Sequence, residues 1–242
     1  MLNKLKSLLS AARHTFHSLP SGRVGVGVFF VLLLASCSES ESAWDPYENW
    51  QTRNEAWYAQ VTDSARTAIA RAKAQYGDAW EDHCDWRQYK TLRKAADYNS
   101  GDPNDSICVK IVKRGPREGK EAISPYYNDT VYASHRGWLM KTTYEKADGT
   151  KYDNMQVFSQ TYYGEYDDAT CAPAQMAVAA MVDGFGTALQ YMVPGDDWYI
   201  YIPPQLGYGA NGKDVIPAYS VLLFRVQLAA VYREGTKVPS WK

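Results

Sequence analysis

The sequence predicts an α+β fold, an antiparallel sheet covered on one face by one short helix and preceded by an amino-terminal helical segment. Helical periodicity is concentrated in residues 44–99, whereas from residue 107 onward short alternating runs are broken by Gly, Pro, Asn and Asp. Among those runs lies a single helical stretch, Phe185 to Met192, opening on Gly184 and closing at Pro194-Gly195. At 242 residues and 45% apolar content the chain is long and apolar enough to bury a core.

The chain begins with an address. Residues 1–23 carry basic side chains and no acid, and Val24 to Ala35 is an apolar run of the length of a signal-peptide core. As a helix its twelve residues rise about 18 Å, short of the roughly 30 Å hydrocarbon layer. The run ends in Leu34-Ala35-Ser36-Cys37, which resembles a bacterial lipobox. This predicts a leader over 1–36 that is removed, a lipid on Cys37 that anchors the protein to a membrane of a Gram-negative cell envelope, and a polar tether over 37–43. Four of the 26 Lys and Arg fall in residues 1–37, leaving 22 against 27 acids and a net charge of −5 on the remainder. Such a balance argues against nucleic acid as a partner, because no excess of cations is available for phosphates.

Within Asn54 to Gln75, Trp57, Tyr58, Val61, Ala65, Ala68, Ile69 and Ala72 recur at helical spacing. Gly77-Asp78 should stop this helix, and a shorter second piece is expected over Trp80–Lys94. Residues 44–99 are too few for a core of their own, so the stripe should pack on the following domain or on a second copy in a homodimer. Asn99 to Ser106 reads as a turn-rich linker. Strands are then expected at Ile107–Lys113, Thr130–Ser134, Tyr199–Ile202 and Val221–Leu228, with a Gly/Pro turn region over 114–121.

Chemistry-bearing motifs are few. Cys84, Cys108 and Cys171 permit one disulfide with one thiol left over, and spacing does not choose the pair. There is no C-x-x-C and no G-x-S-x-G, so zinc, dithiol redox and serine-hydrolase sites have no support and no cofactor is expected.

From about Asp129 to Tyr232 the chain resembles the FKBP-type peptidyl-prolyl isomerases. Asp129-Thr130-Val131 with His135-Arg136-Gly137-Trp138-Leu139 matches the family's D-x-V…Y-x-G-x-L strand. Val182-Asp183-Gly184-Phe185, Ala188-Leu189, Met192, Gly195-Asp196 and Tyr201-Ile202-Pro203-Pro204 follow its helix and next strand. Leu206-Gly207-Tyr208-Gly209, Ile216-Pro217 and Leu222-Leu223-Phe224 match its closing signature. The resemblance implies an isomerase domain over 107–233, a short tail over 234–242, and proline-containing unfolded envelope proteins as partners. It also implies an apolar pocket floored by Phe185 and walled by Phe158, Met181, Val182, Ile216 and Phe224, with Tyr208 donating its hydroxyl to a substrate carbonyl. The pocket aromatic has a competing placement at Tyr152-Asp153; Val157-Phe158-Ser159 is preferred, with an insertion at Lys141–Met155. Three positions depart from the family pattern: His135 stands for a tyrosine, Phe185 for a tryptophan and Ser159 for an aspartate. The tyrosine and aspartate share one polar network in the family, so this network is expected to be altered.

Overall fold

The computed structural model describes residues 45–92, 102–120, 122–145 and 148–241. The predicted leader, Cys37 and the tether lie outside the described residues, as do residues 93–101 at the end of the helical segment and the start of the linker.

Helix α1 runs over Trp50–Tyr76, one turn longer at its start than the periodicity indicated. Its buried side chains, Trp50, Asn54, Tyr58, Val61, Thr62, Ala65 and Ala72, lie along one face, mostly three or four residues apart. Of the two coverings expected for this face, the chain's own sheet supplies one. The second helical piece expected over Trp80–Lys94 does not form among its described residues, 80–92. A short 3-10 segment, Gly77–His83, leads instead into strand β1, Trp86–Lys90, which pairs antiparallel with β2, Ser106–Lys113. Helical propensity there is outweighed by the ladder and by aromatic packing, with Tyr89 stacked 4.0 Å from Tyr191 and 6.0 Å from Trp198.

The remaining strands are β3 (Thr130–Trp138), β4 (Thr142–Glu145), β5 (Lys151–Asn154), β6 (Val157–Gln160), β7 (Ala174–Ala177), β8 (Asp197–Ile202) and β9 (Leu222–Tyr232). The main sheet has the order β1-β2-β8-β9-β3-β6, and β7 joins the amino-terminal half of β3. All pairings are antiparallel. Strands β4 and β5 form a separate hairpin within the predicted insertion, with Tyr144 opposite Tyr152.

Helix α2, Asp183–Tyr191, lies on one face of this sheet and buries Phe185, Ala188 and Leu189 in the core. Gly184 permits that approach, because a Cβ there would meet Ile202 Cγ2 at 2.4 Å and Ile107 Cγ2 at 3.1 Å. The sheet is not covered on one face only. Ile107, Val109 and Ile111 of β2 join the α2-side core, while Cys108 between them joins Tyr58, Val61 and Ala65 of α1. Alternation along β2 therefore feeds two layers, and the near-continuous apolar run Ile107-Cys108-Val109 is its trace in the sequence. Cys84, Cys108 and Cys171 are all free. Cys108 instead lies 3.7 Å from Thr62 Oγ1 and 3.5 Å from Gln88 Nε2.

Polar contacts tie α1 to the loop before β9. Trp50 Nε1 donates to Ser220 Oγ (2.9 Å), and the buried Asn54 accepts the Val221 N–H on Oδ1 (2.9 Å) while donating to Trp50 O (2.8 Å). Tyr58 donates its hydroxyl to the carbonyl of Ser106. Helix α1 is in this way a clamp on the segment that carries Ile216.

Candidate functional site

Strands β3, β6, β7 and β9, helix α2 and the loop over 208–216 enclose a cavity of about 550 Å³. Its floor and walls include the rings of Phe158, Phe185, Tyr208 and Phe224. Phe224, on β9, is the hub: its ring centroid lies 4.9 Å from Phe185 and 5.1 Å from Phe158, both edge-to-face, at 78° and 86°. Gly137 of β3 provides the space for these rings. A Cβ there would stand 2.7 Å from Phe224 and 2.8 Å from Phe158, closer than any real side chain tolerates.

All nine site residues expected from the sequence line this one cavity: Phe158, Met181, Val182, Phe185, Tyr208, Ile216, Phe224, His135 and Ser159. Val182 is the residue that opens α2 and Tyr208 the one that precedes the turn at Gly209–Asn211. The competing placement at Tyr152-Asp153 falls on β5, whose residues are exposed on the separate hairpin and do not line the cavity. Sequence reasoning missed Ala174, Met176, Ala180, Lys213, Asp214 and Val215, which also line it. For Ala174 and Met176 the signal was there, an alternation on a four-residue strand. For Lys213-Asp214-Val215 none was, since it is a turn closed by the pairing of Lys213 with Ile216.

One polar wall of the cavity is made by His135 and Ser159, while Tyr208, Lys213 and Asp214 line it from the 208–216 loop. His135 Nε2 lies 2.8 Å from Ser159 Oγ, so two of the three positions that depart from the expected pattern contact each other. The imidazole meets Phe185 and Phe224 edge-on, each at 6.0 Å. Burial among these rings lowers its pKa from the ordinary histidine value. Lys213 Nζ stands 5.4 Å over the Tyr208 ring at the rim. Among the described residues no group of three or more His, Cys, Asp or Glu is arranged to hold a metal ion.

A second cavity, about 530 Å³ and walled in part by Tyr166, Asp167, Asp168 and Trp241, is comparable in size. Its carboxylates are engaged locally: Asp167 accepts from the Ala169 N–H and the Thr170 hydroxyl, and Asp168 faces Lys113 at 3.5 Å. The aromatic cavity is the better candidate site, since there three phenylalanine rings in mutual edge-to-face contact converge with Tyr208, His135 and Ser159 on one space.

The fold and cavity define an α+β domain with an aromatic cleft. Residues 124–229 match the profile of the FKBP-type peptidyl-prolyl cis-trans isomerases. Over 131 residues the chain is 32% identical to the peptidyl-prolyl cis-trans isomerase Mip of Coxiella burnetii, covering 54% of this chain and 46% of that protein. Over 115 residues it is 32% identical to the FKBP-type 22 kDa peptidyl-prolyl cis-trans isomerase of Escherichia coli, 47% of this chain and 46% of the other. An FK506-binding protein of Neisseria meningitidis serogroup C is 29% identical over 115 residues, 47% of this chain and 87% of that one. The chain thus spans about half the length of Mip and of the 22 kDa protein. Among solved structures, FkpA from Escherichia coli superimposes with a TM-score of 0.40 at 21% identity, covering 76% of this chain and 68% of that chain.

Proposed function

We propose that the protein is a peptidyl-prolyl cis-trans isomerase that assists the folding of envelope proteins. The observation that carries this is the convergence of Phe158, Phe185 and Phe224 with Tyr208 and Val182 on one cavity. Rotation about an amide faces a barrier of about 18–20 kcal/mol because resonance gives the C–N bond partial double-bond character, and X-Pro bonds exchange in tens of seconds or more. No nucleophile is needed to speed it. The site has only to bind the twisted amide better than the planar one. The planar form has the larger charge separation and loses more on leaving water, so a dry aromatic cleft favours the twisted form. The Tyr208 hydroxyl and the Val182 N–H are the donors that would hold the flanking carbonyls.

A protease-coupled assay on a tetrapeptide containing Leu-Pro tests this directly. Acceleration of the slow cis phase in proportion to protein is expected; an unchanged phase would sink the enzyme reading. A second reading, a peptide-binding chaperone of the same fold with little turnover, is favoured by the His135–Ser159 contact, which leaves no carboxylate on that wall. Tight binding of the tetrapeptide without acceleration would select it.

The reading extends to location. The leader, the lipid on Cys37 and the acidic tether would hold the domain on a Gram-negative envelope membrane; among the described residues no helix is long and apolar enough to cross one. Mass spectrometry of the mature amino terminus tests it: an unmodified Cys37 or an uncleaved leader removes the anchor.

A further inference from the structure

The His135–Ser159 pair fixes the direction of a proton. A neutral imidazole carries one N–H, on either ring nitrogen. Nδ1 of His135 is buried with no hydrogen-bond partner, whereas Nε2 lies 2.8 Å from Ser159 Oγ. A proton on Nδ1 would be a buried, unpaired donor, the rarer and costlier arrangement; a proton on Nε2 is paired and leaves only a lone pair uncovered. With Nε2–H donating, Ser159 Oγ is the acceptor of that bond. Its own hydroxyl proton is then free to turn into the cavity, which Ser159 lines.

The occupant expected there matches a donor. Proline has no backbone N–H, so the polar groups beside its ring are the carbonyl oxygens of proline and of the residue before it. Resting on the isomerase reading, we propose that His135 is a positioning residue that makes Ser159 a hydrogen-bond donor to a carbonyl oxygen of the bound proline-containing segment.

Burial against Phe185 and Phe224 favours the uncharged imidazole. Tyr208, Lys213 and Asp214 line the same cavity, and the edges of Phe185 and Phe224 close on the ring. Arg136 and Arg225, next to His135 and its partner Val226 in the ladder, alternate to the other face, where Arg225 pairs with Asp197 at 2.7 Å.

Nitrogen-15 NMR of the full-length protein at pH 7.5, with the His135 signals assigned by their loss in His135→Phe, reads the tautomer without reference to activity. A protonated Nε2 and bare Nδ1 are expected; a proton on Nδ1 overturns the proposal. Affinity for the Leu-Pro tetrapeptide supplies the second arm. Ser159→Ala should weaken it roughly threefold to tenfold, read at a temperature where the variant, whose His135 Nε2–H has lost its acceptor, is still fully folded. Ser159→Thr should retain it, and Ser159→Asp, an acceptor, should lose at least as much as alanine. Binding by Ser159→Asp as tight as wild type overturns the donor role. Wild-type binding without turnover would remove the isomerase reading and leave this one standing; no wild-type binding at all would remove both.

Discussion

The apolar and polar sides of the cavity are made of different material. Phe185 and Phe224 are 3% and 6% exposed and belong to the same packed cluster as Ile107, Leu189 and Ile200, so they hold the domain together and shape the cleft at once. His135, Ser159, Tyr208 and Lys213 touch the cleft from strands and a turn whose positions the rest of the sheet already determines. The comparison teaches that the cleft's shape is inseparable from stability, while its hydrogen-bonding chemistry can change with little cost to the fold. The His135–Ser159 contact is such a change.

The strongest way to break that comparison is Phe224→Ala. Removing the ring that Phe158 and Phe185 both touch should cost about 3–5 kcal/mol in urea unfolding and abolish measurable isomerisation. A loss under about 1 kcal/mol would mean the cleft is a separate attachment to the core. Next is Asn54→Ala, on α1 and outside the cavity. It leaves the buried Val221 N–H without its acceptor and should cost about 1–3 kcal/mol. If the clamp on the 216–221 segment matters to the site, affinity for the proline tetrapeptide falls as well.

Tyr208→Phe tests the polar side and should do the opposite of Phe224→Ala. Stability should stay within about 0.5 kcal/mol of wild type, and kcat/KM should fall by roughly tenfold, the worth of one hydrogen bond. Equal losses of stability and rate would erase the distinction between the two sides.

How much of this was legible follows the same division. The helix of Trp50–Tyr76, the strands β2, β3, β8 and β9, and the rings of the cleft were readable because local periodicity and burial agree there. Strand β1 was not, because Trp86-Arg87-Gln88-Tyr89-Lys90 has no alternation of its own and becomes a strand only by pairing with β2. Residues Trp50, Asn54 and Ser220 carried no signal either, since their hydrogen bonds join positions about 170 residues apart. His135 and Ser159 were singled out as departures from a pattern, but their mutual contact depends on β3 and β6 lying side by side, which only the folded chain displays.

The smallest expected effect comes from protons. Burial holds the His135 pKa below its ordinary value, about 6.5. Above that value the residue is neutral in both the folded and unfolded chain and contributes nothing to pH dependence. As pH falls below it, the unfolded chain takes up the proton first, so folded stability declines until the folded pKa is passed and then levels off. Asp129 does not confuse this window. Burial pushes its carboxyl up, but the Tyr126 N–H, the Arg233 guanidinium and the Glu234 N–H outweigh that and hold it below the ordinary aspartate value, so its contribution is lost only at still lower pH. Urea unfolding at pH 7.5, 6.0 and 5.0 should therefore show a fall in wild type that is smaller in His135→Gln, which keeps a side-chain N–H for Ser159 and cannot titrate. Identical pH profiles for the two proteins would mean that the imidazole is solvated, and that the polar side of the cleft is as open to water as the surface around it.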